Sequence, residues 1–246
     1  MTHRFFIPSA SLTPPTVRLP DEVAHQIRTV LRMRSGDEII VLDGSGRAWQ
    51  VRLTRIDRGV VEGEIMAEQP VSGEPALHLT LYQGTLKAQK FEWVLQKGTE
   101  LGLSRFVPTI CQRSVANEAA ALAKKQARWQ RIIREAAEQS RRGKLPELAD
   151  PIPFEAAIRH SQSADLRLMA WEEAPETASL KAVLAGQSGR SLALFIGPEG
   201  GFSQVEADLA QRAEVQLVSL GPRILRAETA GLALSAAVMF VWGEWN

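Results

Sequence analysis

The 246 residues hold 45% hydrophobic and 23% charged side chains and a formal net charge of +1, which excludes disordered and fibrous classes and leaves room for one large domain or two ordinary ones. The N-terminus MTHRFFIPSA lacks the apolar core of a secretory signal, and the longest apolar run, LALSAAVMFVW, is too short to cross a bilayer; a soluble, cytoplasmic protein with no membrane attachment is expected. A lone cysteine, Cys111, allows no internal disulfide, and His3, His25, His78 and His160 lack ligand spacing, so no metal is expected.

In chain order, the first expected element is a helix over DEVAHQIRTVLR, with Asp21 as N-cap behind Pro20 and Val23, Ile27, Val30 and Leu31 on its inner face. EIIVLDG, RAWQVRLTRID and VVEGEIM follow as short strands divided by the turn signals DGSG and DRG. Residues 1–70 read as a small β-rich unit. QPVSGEP, residues 69–75, has the composition of a linker, and a second domain is expected over 76–246.

Beyond the linker, apolar strands alternate with helical patterns: LHLTLYQ, KFEWVLQKGTELG, RFVPTI, a long helix from about Glu118 to Arg142, LRLMAW, SLKAVLA, SLALFIG, SQVEADLAQR, VQLVSLG and a final helix through LALSAAVMFVW. Alternation of this kind predicts an α/β domain whose sheet is mostly parallel, with helices on its faces. Such sheets bind ligands beyond the carboxyl ends of their strands.

Two of those strand ends carry unusual loops. In LALFIGPEGGFS, residues 192–203, Gly197, Gly200 and Gly201 strip side-chain bulk from the backbone, Pro198 stiffens it, and Ser203 with Glu206 predicts a capping box for the next helix. Neither a dinucleotide fingerprint nor a phosphate-cradling loop is present; a tight turn and a ligand wall of main chain are both compatible with these residues. In VSLGPRILRAETAGLALS, residues 218–235, Gly221 and Pro222 shape a second turn, followed closely by Arg223, Arg226, Glu228 and Thr229 and then a helix of small residues. A pairing of Arg226 with Glu228, or a capping role for either, is the alternative to chemistry there.

FIGPEGGFS followed by LGPRILRAETA closely resembles the SPOUT class of S-adenosylmethionine-dependent RNA methyltransferases, and specifically the 16S ribosomal RNA uracil-N3-methyltransferase family. HRFF near the start, VLRMRSGD at 30–37, QKGTELG at 96–102 and the RWQRIIREAAEQSRR stretch are similar to the same family's pattern. The resemblance implies an N-terminal PUA-like β-barrel that helps hold RNA, a C-terminal domain ending in a trefoil knot, and a homodimer. It also implies S-adenosyl-L-methionine as cofactor and 16S rRNA as partner, within a small ribosomal subunit. Carried over residue by residue, the cofactor contacts are Met169 and Ala170, then Phe195, Ile196, Gly197, Glu199 and Gly200, then Leu220, Gly221, Ile224, Leu225, Arg226 and Thr229.

N3 of uracil is a poor nucleophile while protonated, so transfer requires loss of that proton and stabilisation of charge spreading onto the flanking carbonyl oxygens. Arg226 is the candidate for that stabilisation, because guanidinium is permanently charged and forks onto oxygen. Glu228 is the second catalytic candidate, to orient Arg226, balance the sulfonium or act as base. On the RNA side, 22 of the 29 basic residues are arginine, and residues 81–145 hold thirteen basic against five acidic side chains. Arg4, Arg28, Arg32, Arg34, Lys124, Arg128, Arg131, Arg141, Arg142 and, after RFVPTI, Arg113 are the RNA-side candidates, with Lys144 closing the same basic stretch. Gln112 departs from the family, which often has an acidic residue at that place. Phe5, Phe6 and Trp129 are read as core residues rather than base-stacking ones. A SPOUT methyltransferase of ribose 2'-hydroxyls or of transfer RNA, and a noncatalytic RNA-binding assembly factor, are the competing readings.

Overall fold

The computed structural model of the protein describes residues 2–71, 73–115, 118–175, 178–185, 187 and 189–245. The chain divides into two compact units, Met1–Glu74 with Ala137–Leu145, and Pro75–Ala136 with Pro146–Asn246.

The first unit contains β1 (His3–Phe6), β2 (Leu12–Thr13), β3 (Thr16–Arg18), α1 (Asp21–His25), β4 (Glu38–Leu42), β5 (Arg47–Ile56) and β6 (Val61–Pro70). Its sheet runs β1-β4-β5-β6-β3-β2, with β1 parallel to β4 and the other neighbours antiparallel. Alternate residues of β4 and β5, namely Ile39, Val41, Trp49, Val51 and Leu53, enter one core with Phe5, Val17, Val23 and Ile27. The helical stretch differs from expectation. Pro20, not Asp21, is the cap residue, and α1 widens after one turn into a π-helical turn over Gln26–Val30. That wider turn leaves Val30 67% exposed while Ile27 is fully buried. β6 extends through Pro70, so the first two positions of the expected linker are strand; Ser72 within it lies outside the described residues.

The second unit runs β7 (His78–Gly84), α2 (Ala88–Leu101), β8 (Arg105–Ile110), α3 (Ala119–Ala123), α4 (Gln126–Gln139), β9 (Glu147–Leu148), β10 (Ile152–Pro153), α5 (Phe154–His160), β11 (Leu166–Ala170), α6 (Leu180–Leu184), β12 (Ser191–Ile196), α7 (Gln204–Arg212), β13 (Gln216–Val218) and α8 (Ala227–Val241). Every strand pair is parallel, in the order β10-β8-β7-β12-β11-β13 with β9 also on β8. Side chains alternate between two cores. Leu79, Leu81, Phe106, Leu192, Leu194, Leu166 and Leu168 face α2, α4 and α8. Tyr82, Val107, Ala193, Phe195 and Met169 face α5 and α7. Burial on both faces is why these strands read as nearly continuous apolar runs.

The helix expected from Glu118 to Arg142 is two helices, separated at Lys124 and Lys125. α4 stops at Gln139 because Arg141 adopts φ 63° and the Arg142 N–H returns to the Ala137 carbonyl at 2.9 Å, a left-handed C-terminal cap. Residues 137–145 group with the first unit for identifiable reasons. Ala137 packs with Phe6, Leu42 and Ala48, and the Phe6 N–H donates to Glu138 Oε1 at 2.9 Å. Arg142 Nη2 meets Glu74 Oε2 at 2.9 Å.

Candidate cofactor cavity

β12 and β13 flank β11 and run parallel to it, so the segments that follow their carboxyl ends emerge on one side of the sheet. Residues 197–202 after β12 and 219–226 after β13, with 170–172 at the end of β11, enclose one cavity of about 760 Å³. The two glycine-proline segments therefore line a shared space and are not two unrelated turns.

The loop after β12 is held from several directions. Gly84 at the end of β7 lies so close that a Cβ there would stand 2.3 Å from the Pro198 nitrogen and 2.6 Å from the Gly197 carbonyl carbon. Gln83 Nε2 donates to the Gly197 carbonyl at 3.3 Å. Arg113 Nη1 donates to the carbonyls of Gly200 and Phe202, both at 3.1 Å. Gly201, at φ 68°, closes the turn with its N–H on the Pro198 carbonyl at 3.0 Å. The expected capping box is present: Ser203 and Glu206 exchange side-chain to backbone hydrogen bonds at the start of α7. Glu206 Oε1 also accepts the Gln112 N–H at 2.8 Å, so the main chain at position 112 is engaged whatever its side chain.

Of the carried-over cofactor residues, Ala170, Ile196, Gly197, Glu199, Gly200, Leu220, Gly221, Ile224, Leu225 and Arg226 line the cavity. Three do not line it. Met169 and Phe195 are fully buried and turn to the opposite core, because neighbours of Ala170 and Ile196 in a strand face the other way. Thr229 is exposed on α8 and does not line the cavity; Ala227 and Ala230 of that helix do. Residues not carried over as cofactor contacts also line it: Trp171 and Glu172 just beyond β11, Phe202, and Ser219, Pro222 and Arg223 around the second turn. Most lie inside or beside the quoted motifs, so the signal was adjacency to residues already singled out.

Arg226 and Glu228 do not pair. Arg226 is exposed on the cavity rim, and its side chain has no hydrogen bond or ion pair among the described residues. Glu228, one helical position beyond Ala227, is absent from the cavity lining and turns toward Lys90 on α2, at 3.7 Å.

In the first unit, Arg32 and Arg34 are exposed, while Arg28 Nη1 donates to the carbonyls of Asp57, at 2.7 Å, and Arg58. Arg4 is half-buried; burial and the neighbouring charge of Arg141 hold its pKa below the ordinary arginine value, and its Nε is buried without a partner. Arg142 is a correction. It is 5% exposed and forks onto Glu74, whose carboxylate also accepts the Gly143 N–H at 2.7 Å. Burial alone would raise the Glu74 carboxyl, but Arg142 and the backbone donors outweigh it and hold it below the usual carboxylate range. A guanidinium used in this way is structural and not available to a phosphate. In the second unit Lys124 and Arg131 are exposed and Arg128 pairs with Glu92 at 2.7 Å. Arg113 is exposed, and its Nη1 braces the glycine loop as described above. Phe5 and Phe6 are buried, and Trp129 is buried against Phe91.

The family model of the RNA methyltransferase domain matches residues 73–239, and that of the RNA methyltransferase PUA domain matches 19–66. The ribosomal RNA small subunit methyltransferase E of Bacillus subtilis is 33% identical over 92% of this chain and 90% of its own length. This chain belongs to that methyltransferase family. The Synechocystis member is 34% identical, over 94% of the chain and 75% of the relative. The crystal structure of the Neisseria gonorrhoeae member, described as bound to S-adenosyl methionine, superposes with a TM-score of 0.90 at 34% identity over the whole of both chains. Within the family's terms, the β-rich unit is a PUA-like domain and the parallel-sheet unit is the methyltransferase domain. Among the described residues no helix is long and apolar enough to cross a membrane, and no cluster of three or more His, Cys, Asp or Glu is placed to hold a metal ion.

Proposed function

We propose that the chain is an S-adenosylmethionine-dependent methyltransferase that acts on N3 of a uridine in 16S rRNA, in the cytoplasm, on a small ribosomal subunit and as a homodimer. One observation carries the reading: two glycine-proline loops from non-adjacent strands of a parallel sheet converge on a single cavity. Its residues suit the cofactor. The volume lies within the ordinary range of small-molecule sites. Ala170, Ile196, Leu220, Leu225 and Ala230 supply apolar surface for a purine, and bare main chain at 197–201 supplies hydrogen-bonding groups for its edge. When bound, the cofactor supplies an electrophilic methyl group on a sulfonium.

The chain's own part is to position and to polarise. Arg226, uncommitted to any carboxylate, points its charge at the cavity rim, where it stabilises negative charge developing on a uracil carbonyl oxygen. Glu172 and Glu199 are the carboxylates of the cavity lining, and so the candidates to take the N3 proton. Glu228 faces Lys90 instead, so it does not orient Arg226 by direct contact. For RNA, the half-buried Arg4 beside Arg141 is a like-charge pair that a phosphate would relieve. Exposed Arg32, Arg34, Lys124 and Arg131 extend the basic surface of their respective units. The dimer is supported by Phe240, Val241 and Trp245, large apolar side chains exposed at the end of α8 and just beyond. The knot belongs to the same proposal: the chain passes from β12 over to β13 beyond β11, then α8 returns to pack on β12, β7 and α2.

The test supplies purified protein with methyl-labelled cofactor and small subunits from a strain lacking the enzyme, then digests the RNA and identifies the product by mass spectrometry. The expected product is 3-methyluridine. Label on a ribose hydroxyl overturns the reading. Arg226→Ala should lower turnover about 100- to 1000-fold with cofactor affinity within about threefold of wild type; undiminished turnover removes Arg226 from the mechanism.

A further inference from the structure

Two elements that line the cavity meet a third, α2, on one ammonium. Lys90 Nζ, in the first turn of α2, stands 3.6 Å from Glu199 Oε1 on the loop after β12 and 3.7 Å from Glu228 Oε1 in the first turn of α8. Glu199 Oε1 also accepts the Lys87 N–H at 3.2 Å, so this loop sits on the N-terminus of α2, where a negative charge is favoured. The outer oxygens, Glu199 Oε2 and Glu228 Oε2, are buried with no hydrogen-bond partner. Among the described residues, Lys90 is the cation paired with either carboxylate. The side chains are 34% exposed for Lys90 and 20% for each glutamate, so the attraction is screened less than that of a surface pair.

One positive charge between two carboxylates is a clamp. Without it, two like charges sit partly buried on the two segments whose spacing defines the cavity, and removing one partner of such a cluster costs far more than the cluster's net worth. We propose that Lys90 is a positioning residue for methyl transfer: its ammonium ties Glu199 to Glu228 and so fixes the distance between the two walls of the cofactor site. The proposal rests on the cofactor reading of the cavity. Lys90 itself does not line that cavity, so its effect passes through the two glutamates.

A double-mutant cycle tests it. Calorimetry with S-adenosylhomocysteine is run on wild type, Lys90→Met, Glu199→Gln and the double variant, with thermal melting of each in the absence of ligand. Lys90→Met is expected to weaken binding about tenfold. Lys90→Met made in the Glu199→Gln background should cost less than threefold, because one of the two repelling charges is already gone. Lys90→Arg should restore affinity to within about threefold of wild type. A merely structural role would lower the melting temperature without charge-dependent coupling. Wild-type affinity in Lys90→Met, or losses that simply multiply in the double variant, overturns the clamp. No binding by well-folded wild-type protein overturns the cofactor reading itself, and the positioning role falls with it.

Discussion

The two walls of the cavity are built differently. The loop after β12 is fastened by Gln83, Arg113 and the Lys87 N–H, closed on itself by the Gly201 turn, and continued directly into a capped helix. The segment after β13 is tied at its start, where the Ser219 N–H donates to the Ala178 carbonyl at 2.9 Å and the Gly221 N–H to Ser219 Oγ at 3.3 Å. Beyond that it stands in solvent: residues 221–224 are exposed, and Ile224 is 91% so. Local stability follows the density of such contacts. One wall is therefore fastened by the fold on several sides, while the other carries exposed apolar and arginine side chains with few contacts of its own.

Adding one carbon behind the first wall, and one within the second, breaks that comparison most directly. At Gly84 a Cβ would fall 2.3 Å from the Pro198 nitrogen, against backbone that cannot swing away as a side chain would. Gly84→Ala should destabilise the protein by about 3 kcal/mol, the upper part of the usual range for overpacking, and abolish measurable cofactor binding at ordinary concentrations. Denaturant unfolding and calorimetry on the same preparation read both effects. A variant with unchanged midpoint and affinity would mean that the loop is not held against β7.

How far the sequence foretold these walls depends on how local their causes are. RFVPTI matches β8, Arg105–Ile110, and the Ser203 and Glu206 box is where the motif placed it, because both are set by residues within a few positions of each other. Period-two alternation likewise accounts for Met169 and Phe195, whose side chains turn away from the side that Ala170 and Ile196 face. Tertiary partners were not legible. Arg142 reads as one more basic residue on a basic helix until Glu74, 68 positions earlier, is seen to receive it. The brace from Arg113 to Gly200 likewise spans 87 positions. β1 to β3 are too short for alternation to announce them, and the break at Lys124 and Lys125 leaves helix formers on both sides.

Removing that brace sharpens the comparison at smaller scale. Arg113 Nη1 serves two loop carbonyls, but the residue is exposed, so water replaces part of what is lost. Arg113→Met should weaken cofactor binding by about 1 kcal/mol, near the ordinary net value of a hydrogen bond in a folded protein, which is a loss of about fivefold. Methyl transfer at saturating cofactor should stay within about threefold of wild type. A large loss of turnover with undiminished affinity would instead place Arg113 on the RNA.

The matching substitution on the open wall should do least. Gly221 has φ 101°, yet a Cβ there would meet nothing within 4 Å. Only backbone conformation is at stake, and the exposed segment around it is free to relax toward a dihedral that alanine accepts. Gly221→Ala should therefore lower stability by less than about 1 kcal/mol, well below the Gly84→Ala effect. Its mark should fall on the ligand side, as a modestly slower association of cofactor in stopped-flow fluorescence, because the relaxed segment must be drawn back before it closes on the ligand. Should Gly221→Ala destabilise the free protein as strongly as Gly84→Ala does, the second wall is as firmly fastened as the first.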